Sequence, residues 1–113
     1  MKYHNIPKFQ NGHWFHSQKE AARYRELSAL EKGKLIRDLE LQPRFALDVN
    51  GVHICNYFAD FAYYDNDRKV DVVEDTKGFR TETYKIKKRL MLAEYGLEVR
   101  NEKAIGAAVD LTP

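Results

Sequence analysis

Three side chains near the middle of this 113-residue chain could do chemistry together: Asp60, Asp75 and Lys77. Asp60 lies within Tyr57-Phe58-Ala59-Asp60-Phe61-Ala62-Tyr63, and the other two within Val70-Asp71-Val72-Val73-Glu74-Asp75-Thr76-Lys77-Gly78. Both stretches read as β-strands, and each carries an acid where a buried strand disfavours one unless a partner satisfies it. Side chains alternate across a strand, so Asp75 and Lys77 share a face, about 7 Å apart along the backbone. Two carboxylates and an ammonium at neighbouring strand ends can hold a divalent cation beside a phosphate. Phosphodiester hydrolysis needs an activated water and positive charge near phosphorus, and bound Mg²⁺ supplies both. Mg²⁺ takes hard oxygen ligands: a carboxylate or two, phosphate oxygens and waters. Asp60 and Asp75 are the candidate carboxylates, and the backbone carbonyl of Thr76 is a further candidate ligand. Lys77 would hold the attacking water and stabilise developing negative charge.

Each of these residues also has a plain structural reading. Most Asp-x-Lys pairs are surface ion pairs. Here Asp60 sits among Phe58, Ala59, Phe61 and Ala62, Val72-Val73 immediately precedes the acidic pair, and a basic helix is expected a few residues on. Glu74 points away from Asp75 on a regular strand, whereas a bulge would turn it, so either acid could face the metal. Parity with Lys77 favours Asp75. Glu20 either satisfies a helix end or completes the metal site, and the two roles are compatible. Gln42, just before Pro43, either turns the chain or binds water or substrate. His13-x-x-His16 has metal-ligand spacing but no third ligand nearby, and reads as a surface loop.

The elements that must position these groups are legible from pattern. Ser17-Gln18-Lys19-Glu20 has the form of a capping box, and Ala21, Ala22, Tyr24, Leu27 and Leu30 continue at helical spacing. Gly33 is placed to end that helix in a left-handed conformation. Phe45, Leu47 and Val49 alternate with polar or small residues as a strand, Asn50-Gly51 is a hairpin turn, and the partner runs from about Val52 to Tyr63. Asp65-Asn66-Asp67 is a turn before the strand Val70–Thr76. Together these predict a three-stranded antiparallel meander. Thr81 to Tyr95 reads as a second helix closed by Gly96, and Leu97–Arg100 as a last strand parallel to the one leading to Lys77. Residues 1–16 read as an arm or a loose strand and 104–113 as a frayed tail of one domain spanning 1–113. The fold class is therefore α/β, a mixed sheet flanked by helices. Trp14 and Phe15 would pack against the first helix or contact DNA, and the other aromatics belong to core and sheet.

Charge is distributed unevenly along the chain. Residues 1–37 carry eight Lys/Arg against three acids, residues 38–76 three against nine, and residues 77–113 eight against five. Basic flanks around an acidic middle suit a metal-dependent enzyme on a polyanion. They equally suit two helices solvated by Lys and Arg. Lys85, Lys88, Arg89 and Arg23 are the candidate cations for a polyanion's phosphates, DNA-binding residues if that polyanion is DNA. One cysteine, Cys55, excludes an intramolecular disulfide and a thiolate zinc cage. No apolar run reaches membrane-span length and the first residues lack a signal peptide's apolar stretch, so a cytoplasmic protein with no membrane partner is expected.

Taken in order, these blocks resemble the PD-(D/E)XK nuclease superfamily, which includes restriction endonucleases and Holliday junction resolvases. More narrowly, Ser17-Gln18-Lys19-Glu20-Ala21-Ala22-Arg23-Tyr24, Gln42-Pro43-Arg44-Phe45, Tyr57-Phe58-Ala59-Asp60-Phe61 and Val73-Glu74-Asp75-Thr76-Lys77-Gly78 are similar to a family of small phage-encoded proteins of unassigned function. The similarity spans roughly residues 14–100. It implies a restriction-endonuclease-like core, dependence on Mg²⁺ or Mn²⁺, and cleavage of DNA. It also implies a phage or prophage protein acting in a bacterial host. By position Asp60 takes the first motif acid, Asp75 the second and Lys77 the lysine, while Glu20 matches the helix acid of the resolvase-like branch. One departure is Ala59, which stands where the motif has proline. With little chain beyond the core, structure-selective cleavage of branched DNA by a homodimer fits better than reading of a long sequence. Two other readings remain open: a non-catalytic DNA-binding module on the same fold, and a small interaction protein directed at a host enzyme.

Overall fold

A four-stranded mixed sheet forms the middle layer, and the other described elements pack on its two faces. The computed structural model describes residues 8–10, 13–15, 17–76 and 81–101. The first elements are a short antiparallel hairpin, β1 (Lys8–Gln10) and β2 (His13–Phe15), where the sequence suggested an arm or a loose strand. Helix α1 (Gln18–Lys32) comes next, capped by Ser17, whose Oγ accepts from the Glu20 N–H at 3.2 Å. Phe15 is buried and stacks near Tyr24 of α1, ring centres 5.1 Å apart, so it packs against the helix. Gly33 closes α1, but not in the left-handed form expected of it. Its φ is −79°, and the chain reverses one residue later at Lys34, φ 64°.

The antiparallel part of the sheet is built from different strands than the pattern suggested. Residues 36–41, which showed no clean period, form strand β3 (Ile36–Leu41). Strands β4 (Arg44–Val49) and β5 (Val52–Phe58) pair as the predicted hairpin, with Asn50 and Gly51 at φ 51° and 81° in its turn. The strand expected to run unbroken from Val52 to Tyr63 is interrupted at Ala59-Asp60, and β6 (Phe61–Asp65) begins after the break. β6 pairs with β3 on one side and with β7 (Val70–Asp75) on the other. Helix α2 (Glu82–Tyr95) then leads to β8 (Val99–Asn101), which lies parallel to β7. The sheet order is β3-β6-β7-β8, and β4-β5 stands apart as a two-stranded ribbon.

The physical reason for the break is a paired bend. Gln42 has φ 51° and Pro43 lacks an N–H, so the β3–β4 arm turns there. The β5–β6 arm turns beside it. The two arms stay zipped across the corner: the Gln42 N–H donates to the Asp60 carbonyl at 2.8 Å and the Ala59 N–H to the Pro43 carbonyl at 3.2 Å. Residues 36–65 are thus one long antiparallel ribbon folded over on itself, with Asp60 at the fold. A proline at 59 could not make the second of these bonds.

Alternation assigns the faces. Phe61, Tyr63 and Val72 join Phe15, Ala21, Leu27 and Ile36 in a core under α1. Ala62, Val73 and Val99 pack with Leu47, Tyr57, Ala59 and Met91 in a second core under α2 and the folded ribbon. Among the described residues no helix is long and apolar enough to cross a membrane.

Candidate functional site

Glu74 and Asp75 end β7 and point to opposite faces, as a regular strand requires. Glu74 follows Val72 onto the α1 face and is 1 % exposed. There the Arg23 guanidinium grips it with two parallel bonds, Nε to Oε1 at 2.8 Å and Nη2 to Oε2 at 2.7 Å. The Tyr63 hydroxyl also donates to Glu74 Oε2. Glu74 holds Arg23 well above the ordinary guanidinium range despite the opposing effect of burial, and burial pushes the Tyr63 hydroxyl up. No bulge brings Glu74 round to Asp75. Arg23, a candidate DNA contact, is held between Glu74 and Glu26, the latter bond 2.9 Å long.

Asp75 follows Val73 onto the opposite face. The Tyr57 hydroxyl donates to its Oδ2 at 2.7 Å. Asp60 sits at the ribbon's fold, one step beyond the Phe61–Glu74 pair of the β6–β7 ladder, so its position is cross-strand to Asp75. Its N–H donates to the Glu74 carbonyl at 3.0 Å. Its Oδ2 accepts from both the N–H and the hydroxyl of Thr76, each at 2.7 Å. Burial holds the Asp60 carboxyl above its usual range, and the charge of Glu20 adds to this. The two Thr76 donors and a hydrogen bond with Asp75 pull the other way. Glu20 is 1 % exposed in the first turn of α1, and its negative charge is felt at Asp60.

The structure thus brings Asp60, Asp75 and Thr76 together at one end of β6 and β7, with Glu20 acting on Asp60 from α1. Lys77 lies outside the described residues, as do His16 and the tail from 102 on. Among the described residues no three His, Cys, Asp or Glu side chains stand close enough to hold a metal ion by themselves. What is present is a pair of carboxylates with surplus negative charge beside them. That donor set fits Mg²⁺, which completes its shell with waters and substrate phosphate, better than a cation needing a full protein cage.

Asp75 also lines a cleft of about 320 Å³ between the folded ribbon and the start of α2. Tyr57, Phe58, Tyr84 and Lys87 line it with Asp75. Burial and the nearby carboxylates raise both tyrosine hydroxyls, Tyr84 to about 12 and Tyr57 further, so Tyr57 stays protonated and donates its hydrogen bond to Asp75. Of the basic residues on α2, Lys87 alone reaches this cleft. Lys85 and Arg89 are exposed and Lys88 is half-buried, and Lys85 sits 3.4 Å from Glu82. Sequence reasoning missed Tyr57, Tyr84 and Lys87 as site residues. Tyr57 had a usable signal, three residues before Asp60 on the same strand run. Tyr84 and Lys87 had none, because their approach depends on how α2 docks.

Comparison with known proteins yields one family. The family model described as "Protein of unknown function (DUF1064)" matches residues 1–107. No curated protein and no solved structure matches the chain.

Proposed function

We propose that this chain, which belongs to the DUF1064 family, is a metal-dependent endonuclease that hydrolyses DNA phosphodiester bonds. The observation that carries this reading is the convergence of Asp60 and Asp75 on one face of the sheet, with Asp75 opening onto a cleft that also holds Lys87. A carboxylate crowded by burial and by Glu20 is relieved when a cation neutralises it. The resemblance to the PD-(D/E)XK superfamily in Asp60, Asp75-Thr76-Lys77 and Glu20 supports the same reading by analogy.

Asp60 and Asp75 would hold Mg²⁺ or Mn²⁺, with the Thr76 carbonyl and Glu20 as further candidates. Bound there, the ion would activate water and offset charge on the phosphate. Thr76 fixes the Asp60 carboxylate through Oδ2, and Tyr57 fixes Asp75 in the same way. Lys77, two residues beyond Asp75, would orient the attacking water. Lys87 would attract the phosphate, and Lys85, Lys88 and Arg89 the flanking backbone. Glu74 and Arg23 take no part in the chemistry in this reading; they lock β7 from behind. A homodimer would set two such sites against two strands of a branched substrate in phage DNA metabolism within the bacterial cytoplasm.

The test is incubation of the protein with labelled four-way junction, flap, duplex and single-stranded DNA in Mg²⁺, Mn²⁺ or EDTA. Cleavage is expected with either metal and not with EDTA. Asp75→Asn and Lys77→Ala should each lower the rate by about a hundredfold or more while the circular dichroism spectrum stays unchanged. Undiminished cutting by either variant removes that residue from the site. DNA binding without cleavage under every condition favours the binding-module reading instead.

A further inference from the structure

We propose that the cleft beside Asp75 is a subsite for a single unpaired nucleotide, which selects single-stranded or flapped DNA over uninterrupted duplex. The subsite deepens the nuclease reading, and rests on it for the cleavage step after binding. The observation behind it is Phe58. Its neighbours Tyr57 and Ala59 are buried, yet Phe58 is 60 % exposed and stands at the wall of the cleft. Directly across the β4–β5 ladder stands Arg44, also exposed. Cross-strand partners lie about 5 Å apart at Cβ, so an aromatic face and a guanidinium are offered side by side. Lys87, Thr81 and Thr83 of the α2 side also line the cleft.

An apolar ring, one lysine and two threonines around one concavity, with Arg44 beside the ring, match the parts of a nucleotide: a base with a π-face, a phosphate and a sugar. Asp75 adjoins the same space, so a nucleotide seated there presents its phosphodiester to the paired carboxylates. In an intact duplex each base has both faces covered by its neighbours. A protein ring gains a base face only where the nucleotide is unpaired or turned out of the stack. An outward aromatic beside the reacting pair therefore favours strand ends, flaps and junction arms. The acids of the site repel phosphate when no cation is present. Stacking on Phe58 does not share that dependence, and this makes the two parts separable.

The test uses the full chain in EDTA, where binding is read without cleavage, with a labelled oligothymidylate, a flapped duplex and a blunt duplex. Single-stranded and flapped DNA are expected to bind more tightly than blunt duplex at equal salt. Phe58→Ala should weaken single-stranded and flapped DNA about tenfold more than it weakens duplex. Phe58→Trp should restore the affinity, and the oligothymidylate should quench its emission beyond any change that Trp14 shows in the parent. Equal loss on all three DNAs, or an unquenched Trp, overturns the subsite. Cleavage in Mg²⁺ is then measured separately. Stacking intact with no cleavage defeats the nuclease reading and leaves the subsite standing. Cleavage of all three DNAs that ignores Phe58→Ala defeats the subsite and leaves the nuclease.

Discussion

Asp60 is a carboxylate held where its charge is disfavoured, by burial first and by Glu20 second. A folded-state pKa above the ordinary 3.8 means that the native chain binds more protons than the unfolded one once the pH exceeds 3.8. Stability therefore falls as pH rises from there through the folded value, and the loss is complete above it. Without divalent cations, Asp60→Asn should melt higher than the parent at neutral pH, and the gap should close as pH is lowered toward 3.8. Adding Mg²⁺ should raise the parent's melting temperature and not the variant's, because only the parent has a charge for the ion to offset. A variant that melts lower at every pH would show that the Thr76 bonds outweigh the crowding. Glu74 illustrates the opposite arrangement, a buried acid fully met by Arg23 and Tyr63. Removing one partner of such a pair strands the other, so Arg23→Ala should cost about 3–5 kcal/mol in urea denaturation. A neutral effect on stability with a loss of DNA affinity would return Arg23 to the DNA-contacting surface.

Among the elements, the folded ribbon and β8 decide whether the site exists. The ribbon's corner puts Asp60 at the end of β6, and the bonds from Gln42 and Ala59 keep the corner closed. Strand β8 pairs with the end of β7, Arg100 beside Glu74 and Asn101 beside Asp75, and so braces the segment that carries the acids. Its register depends on how α2 stops. Gly96 takes φ 68°, and its N–H caps the Leu92 carbonyl at 2.9 Å. A Cβ at Gly96 would meet nothing within 4 Å, so any cost of Gly96→Ala is conformational. That variant should lose about 1–2 kcal/mol, measured by thermal or chemical unfolding. No loss would mean that α2 and β8 tolerate another ending.

At the scale of the whole molecule, two cores share one sheet, and each acid of the Glu74-Asp75 pair belongs to a different one. The basic side chains Lys85, Lys88 and Arg89 lie on α2, which borders the cleft through Thr83, Tyr84 and Lys87. If these cations meet backbone phosphates, log K falls linearly with log salt at a slope of about −0.9 per contact. Replacing all three by Ala should then flatten the slope by about 2–3, in binding measured over a salt series. An unchanged slope would move the DNA path off this helix.

Local chemistry made much of this protein readable before any coordinates. The Ser17 cap, the Asn50-Gly51 turn, the Gly96 ending and the opposite parity of Glu74 and Asp75 each depend on a few adjacent residues, and each stands in the structure. The break at Ala59-Asp60 was not readable, because an apolar run continues on both sides of it and the matching bend at Gln42-Pro43 lies on the neighbouring arm of the ribbon. Strand β3 was hidden for a related reason: its register shifts between Arg37 and Glu40, with Asp38 at φ 58°, so no single period describes it. The approach of Tyr84 and Lys87 to Asp75 required the docking of α2 against the folded ribbon. Sequence determined which residues could turn, cap or alternate, since those are short-range steric and hydrogen-bonding preferences. Which acid is gripped by an arginine and which opens onto a cleft was decided only by packing between distant segments.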